Sequence, residues 1–304
     1  MKSMIEIKEL NKNFGKDQIL SDINFTIKDG EVFGLIGTNG AGKSTLLRTI
    51  TGIYKPNSGT VTVDGLPVYD NPKAKQLFFF LPDDLYFSQG MTPKSLATYY
   101  KGIYPAFDIE KYMKLLDQFH LNPKKRISTY SKGMKRQVAI LAGICANTKY
   151  VLLDESFDGL DPVIRKAVKQ LLVREMDERG MTTIITSHNL REQEDICDHI
   201  GVLHQSKIVL SKDMVALKCS VQNVEVCFAS DAEAEQTLAK LCIKKQKQKG
   251  PLYLLTVEGD REEVMEILHS VDTTYLDVQS LSLEDIFIKE MEAIGYDIQT
   301  FMGE

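Results

Sequence analysis

The most constraining stretch of this chain is Gly37-Thr38-Asn39-Gly40-Ala41-Gly42-Lys43-Ser44-Thr45. The apolar run Val32-Phe33-Gly34-Leu35-Ile36 leads into it and Leu46-Leu47-Arg48-Thr49-Ile50 follows, which places it where a buried strand turns into a helix. It fills every fixed position of the pattern G-x-x-x-x-G-K-[ST]. Glycines at 37, 40 and 42 let the backbone N–H groups face inward at the positive end of a helix starting near Gly42, a nest suited to a polyphosphate. Lys43 would set its ammonium against the β- and γ-phosphates. The Ser44 hydroxyl is a hard oxygen ligand of the kind Mg²⁺ takes.

Further along, Tyr150-Val151-Leu152-Leu153 is an apolar run ending in Asp154-Glu155. A strand ending there delivers Asp154 to the C-terminal edge of a parallel sheet beside the phosphate loop, where it could hold Mg²⁺ through water. Glu155 is then free to orient an attacking water. Gly159-Leu160-Asp161-Pro162 opens a long helix, with Asp161 as N-cap and Pro162 in the first turn, and Gly180 ends it. The β-branched run Thr182 to Ser187 predicts another strand, with His188 at its end, where an imidazole could reach a γ-phosphate. Ser131, in Tyr130-Ser131-Lys132-Gly133-Met134, is placed to cap a helix that continues through Val138 to Ala142. Phe14 stands in a turn before Gly15, where a ring could stack on a purine, although an aromatic beside a turn also serves local packing.

Around these motifs the pattern is α/β. Residues 4 to 10 and 19 to 27 alternate apolar and polar side chains as half-buried strands do, and Val61 to Val63 and Leu77 to Leu81 add two more. From about residue 84 to 146 the periodicity is helical, which reads as a helical subdomain inserted in the α/β core. Its rings Tyr99, Tyr100, Tyr104 and Phe107 are at helical spacing, as core residues are, and could alternatively line a docking groove. The first domain is expected over residues 1–215 and a small α+β domain over 216–304. The second has strands at 221–228, 252–257 and 275–278 and helices at 232–241 and 262–268, with Lys244 to Lys249 as a solvated hairpin tip or a contact for anionic lipid.

A formal net charge of −5 over 304 residues speaks against a general affinity for nucleic acid, so none is expected as partner. The five cysteines form no C-x-x-C pair and suit a reducing compartment, where they read as core thiols. No run approaches the roughly 18 apolar residues that would span a bilayer. Work done at a membrane would need another chain to cross it.

In this order and at these separations, residues 4 to about 212 resemble the nucleotide-binding subunit of ATP-binding cassette (ABC) transporters, a P-loop NTPase fold with an antiparallel β subdomain and a helical subdomain. Gly37 to Ser44 resembles the Walker A loop and Val151 to Glu155 the Walker B strand with its catalytic Glu. Ser131-Lys132-Gly133-Met134 resembles the signature sequence, Gly159-Leu160-Asp161 the D-loop, and His188 the switch histidine; Phe14 falls where the family places its adenine-stacking aromatic. The resemblance implies an Mg²⁺-dependent ATPase whose two cassettes, as homodimer or heterodimer, close head to tail around ATP, with Ser131 and Gly133 capping the γ-phosphate of the opposite subunit. It implies a separate transmembrane permease and a cytoplasmic location, peripheral on the inner face of the membrane. Asp83 stands where the family usually has a Gln that touches Mg²⁺, and its carboxylate, still a hard oxygen ligand, is expected to contact the metal together with Ser44 and Asp154; Ser156 stands where the family usually has Pro. Asp83, the stretch Tyr104 to Asp108 and Ser-Lys-Gly-Met together are similar to bacterial exporter ATPases found beside GntR-type regulators. Two other readings stay open, a regulatory cassette of weak ATPase activity and a soluble clamp on nucleic acid or ribosomes.

Overall fold

The computed structural model describes residues 4–219 and 221–280 together with Ile288; Ser282 to Phe287, which by their resemblance to the closing helix of exporter cassettes would form a helix, lie outside them. The chain divides between Ser211 and Lys212 into two compact units.

The first unit opens with β1 (Met4–Phe14) and β2 (Asp17–Lys28), which pair antiparallel across a tight turn at Gly15-Lys16. The alternation of β1 slips by one residue after Ile7. Glu9 takes a left-handed φ of 49° and the register shifts there, a bulge that returns Leu10 to the buried face with Ile5 and Ile7. With β4 (Ser58–Val63) and β5 (Leu66–Pro67) these strands form a four-stranded antiparallel sheet ordered β2-β1-β4-β5. β3 (Val32–Ile36), buried throughout, runs through the phosphate loop into α1 (Lys43–Ile50). The short α2 (Pro72–Lys75) precedes β6 (Phe78–Leu81). The helical segment then contributes α3 (Pro93–Ile103), α4 (Ile109–Gln118) and α5 (Lys132–Cys145).

β7 (Tyr150–Leu153), α6 (Pro162–Arg179), β8 (Thr182–Ser187), α7 (Leu190–Glu194), β9 (His199–His204) and β10 (Lys207–Asp213) complete a six-stranded sheet ordered β10-β9-β3-β8-β7-β6. The neighbours from β9 to β6 pair in parallel, with Ile36 beside Ser187 and both Leu81 and Ile185 beside Leu153. The loops after β3, β8, β7 and β6 therefore leave from one edge of the sheet, where α/β folds place their ligands. A single apolar cluster joins the two sheets through Ile5, Leu20, Phe33, Leu47, Tyr150 and Ile184.

The caps follow the sequence. Asp161 accepts from the N–H groups of Val163 and Ile164, Pro162 occupies the first turn of α6, and Gly180 closes it at φ 66°. The helical segment departs from expectation in one respect. Phe107 is buried and Tyr100 and Tyr104 half-buried against Phe79, but Tyr99 is 57% exposed, Ile103 one turn further along α3 is also exposed, and so is Tyr86 in the loop before α3. Helical spacing locates a stripe; it does not say that an outer layer covers all of it.

The second unit contains α8 (Met214–Cys219) and then β11 (Val221–Phe228), α9 (Asp231–Leu238), β12 (Cys242–Lys249), β13 (Leu252–Glu258), α10 (Arg261–His269) and β14 (Thr273–Ser280). The sheet order β12-β13-β11-β14, antiparallel throughout, is a split β-α-β arrangement. The basic stretch is a fourth strand and not a hairpin tip. Lys245 to Lys249 pair with β13 at the sheet edge, and only Ile243 of β12 packs against the core of Val224, Val226, Leu255, Val257 and Leu268. An edge strand has one paired side and needs few apolar residues, and lysines there discourage pairing with another edge. The reading of the cysteines as core thiols holds for Cys145 and Cys197. It fails for Cys242, which is exposed, and for Cys227, which is half-buried. The side chain of Cys219 lies outside the described residues.

Candidate active site

At the C-terminal edge of the six-stranded sheet the phosphate loop takes the conformation its glycines allow. Gly42, the N-cap of α1, sits at φ 107°, and Gly40 at φ 82°, both in the region closed to most side chains. The loop borders a cavity of about 320 Å³ lined also by Phe14, Asp83 and Glu155. Phe14 stands at its mouth, 44% exposed, edge-on to Tyr54 at 5.3 Å with Lys12 Nζ 4.8 Å from its ring.

Lys43 is 5% exposed. Its Nζ donates to the carbonyls of Gly37 at 2.6 Å and Thr38 at 3.1 Å, and lies 3.0 Å from Glu155 Oε1. The other Glu155 oxygen is 3.1 Å from His188 Nδ1. Three residues separated by up to 145 positions thus converge, and Asp158 adds a carboxylate, with one ligand atom from each of Glu155, Asp158 and His188 within 4.8 Å of the others. A carboxylate held between an ammonium and an imidazole at the mouth of an anion nest can orient and deprotonate a water directed at a bound phosphate.

Behind them Asp154 is fully buried. One oxygen accepts from Thr186 Oγ1 at 2.8 Å; the other, Oδ2, is buried and has no hydrogen-bond partner among the described residues. Burial pushes this carboxyl above its ordinary range, the Thr186 and Ser44 hydroxyls oppose the shift, and the neighbouring Glu155 adds to it. A hard divalent cation fits this donor set. It would take the orphaned oxygen and the Ser44 hydroxyl and relieve the cost of burying the charge.

A family profile described as ABC transporter matches residues 20–158. The ABC transporter ATP-binding protein YtrB of Bacillus subtilis (strain 168) is 33% identical over 94% of this chain and 97% of its own length. This chain belongs to the ABC transporter ATP-binding family. It is an ATP-hydrolysing subunit with the ABC ATPase fold. The bacitracin transport ATP-binding protein BcrA of Bacillus licheniformis is 26% identical over 95% of this chain and 97% of its own. A solved ATP-binding subunit of an ABC transporter superposes with a TM-score of 0.66 at 25% identity, over 71% of this chain and 92% of that one.

The remaining ABC motif residues lie elsewhere on the unit. Thr38, Asn39, Ala41 and Thr45 belong to the phosphate loop, whereas Ser131, Gly133 and Asp161 do not line its cavity. Ser131 caps α5, accepting from the Met134 N–H. Gly133 lies against the D-loop, since a Cβ added there would meet the carbonyl of Gly159 at 2.6 Å. That close approach gives Gly133 a role within its own chain that the motif comparison did not suggest. Asp83 borders the cavity, but its carboxylate is ion-paired with Arg136. Two residues escaped the sequence reading. Thr186 donates to Asp154 and accepts from the Glu155 N–H, and its only signal is its position near the end of a strand. Arg136 is a charge within the buried face of α5, and nothing in the sequence pairs it with position 83.

Proposed function

We propose that this chain powers a bacterial exporter, closing as a dimer on two ATP molecules and moving a separate membrane-spanning chain. The observation that carries the proposal is the meeting of Lys43, Glu155 and His188 beside a buried Asp154 that has a free oxygen. The loop N–H groups and Lys43 hold the phosphates, and ATP binding would draw Lys43 away from the carbonyls of Gly37 and Thr38. Ser44 and Asp154 are the residues that would hold Mg²⁺, which would supply neutralisation of the phosphate charge. Glu155 orients the attacking water and takes its proton, His188 steadies the γ-phosphate, and Phe14 receives the adenine. Ser131 and Gly133, remote from their own phosphate loop, complete the site of the second copy, with Asp161 beside them.

The exposed rings Tyr86 and Tyr99 with Ile103 are the proposed docking surface for the membrane chain. No helix among the described residues is long and apolar enough to cross a membrane. The names of two relatives, bacitracin transport and linearmycin resistance, support export of antibiotic-like compounds. We assign residues 1–215 to the cassette and 216–304 to a regulatory or dimerising role. The test is Glu155→Gln, which should retain ATP and elute as a dimer in its presence; a monomer at saturating ATP would contradict the closure step.

A further inference from the structure

Glu155 holds an unusual backbone for a side chain so central to the site. Its φ is 45°, in the left-handed region that non-glycine residues avoid unless their surroundings fix them there. Both sides of the residue are tied. Its N–H donates to Thr186 Oγ1 at 2.8 Å, and its carbonyl accepts from Arg136 Nη1. Arg136 is only 2% exposed, and a buried guanidinium is tolerated where an anion and further acceptors meet its donors. Asp83 is that anion, with Oδ1 on Arg136 Nη2 and its main-chain carbonyl 3.4 Å from the same nitrogen.

We infer that Asp83 and Arg136 form a strut that holds the strained Glu155 peptide, so that Asp83 acts on hydrolysis through Arg136 and not as a ligand of the metal. Both are positioning residues. The inference deepens the proposed function and rests on it. It accounts for the carboxylate at position 83, because the neutral Gln that the family resemblance leads one to expect would leave the Arg136 charge uncompensated. It also joins two parts of the unit. Asp83 is 49% exposed and lies two residues beyond β6, where the chain leaves the sheet for the helical segment.

The test uses the full chain with Asp83→Asn, Asp83→Gln, Asp83→Glu, Arg136→Gln and the double variant Asp83→Asn with Arg136→Gln. Three quantities are measured: kcat and KM for ATP, the Mg²⁺ concentration giving half-maximal nucleotide binding, and the melting temperature. The strut predicts that Asp83→Asn, Asp83→Gln and Arg136→Gln each lose roughly tenfold or more in kcat, with the Mg²⁺ half-saturation and KM within about twofold. The double variant falls no lower than the worse single, and Asp83→Glu retains most of the rate. A tenfold rise in the Mg²⁺ requirement of Asp83→Asn would make Asp83 a metal ligand and overturn the strut. Losses that multiply in the double variant, or full activity in Asp83→Gln, would overturn it as well. If Arg136→Gln does not fold, the three Asp83 variants decide between charge and shape. An unmodified chain that binds ATP without turnover would instead defeat the ATPase reading, and non-additive melting temperatures across the cycle would still uphold the strut, additive ones overturn it.

Discussion

The two units differ in where they keep charge. In residues 1–211 Lys43, Arg136, Asp154 and Glu175 are buried, three of them at one edge of a sheet. Among the described residues of 212–280 no charged side chain is buried; Gln222, Thr237 and Thr256 are the only buried polar ones, and the lysines of β12 lie outside. Taking a charge out of water is costly unless it is paired or neutralised. Buried charge therefore marks the unit whose fold is organised around chemistry, while the other unit reads as an ordinary apolar core whose function resides on its surface. Glu175 shows that burial alone does not define the site. It bridges Lys111 of α4 and Arg179 of α6, away from the phosphate cavity, and serves to fasten the helical segment.

That contrast can be broken most sharply at Glu155. Replacing it with Gln should lower the rate of ATP hydrolysis by about a thousandfold while leaving the affinity for ATP within a few-fold, because orienting and deprotonating the water is lost but the anion nest is not. An equally large loss of binding would show that Glu155 matters mainly by holding Lys43. The second unit should respond in the opposite manner. Leu268, fully buried in its core, is expected to cost about 2–5 kcal/mol of that unit's stability when changed to Ala, read by denaturation, with ATP affinity unaltered. A change in nucleotide affinity there would join the two units energetically.

A smaller effect should appear in acid. Burial would raise the Glu175 carboxyl, but the bonds and charges of Lys111 and Arg179 outweigh it and hold the group below its ordinary 4.5. A depressed folded-state value stabilises the fold fully above pH 4.5, and the contribution disappears as pH falls through the lower folded value. Glu175→Gln should accordingly lower stability above pH 4.5, where the ionised carboxylate contributes, and flatten the acid limb below it; an unchanged limb would remove the linkage. The smallest effect is expected from Lys245→Glu with Lys247→Glu. Both are exposed on an edge strand, and their replacement should move stability by no more than about 0.5 kcal/mol in thermal denaturation.

How much of this was legible in the sequence follows the same division. The phosphate loop, the Asp154-Glu155 pair and His188 could be read because their chemistry demands particular residue types at the ends of strands, and the parallel register brings those ends together. Caps were legible for a similar reason, Asp161 and Ser131 being short side chains that reach nearby N–H groups. The Asp83–Arg136 pair was not, since its partners are 53 positions apart and neither has a local signature. β12 was missed because Lys-Lys-Gln-Lys-Gln-Lys carries neither apolar alternation nor β-branched residues, and only pairing with β13 makes it a strand. The exposure of Tyr99 is likewise a matter of what no neighbouring layer covers.

The most direct test of composite, dimer-made active sites is the specific ATPase rate of the purified chain, with Mg²⁺, as a function of protein concentration. If Ser131 and Gly133 of one copy complete the site of another, the rate per molecule should rise with concentration and then level off. A rate per molecule that is constant from the lowest measurable concentration, in a chain shown by light scattering to remain monomeric, would contradict the account.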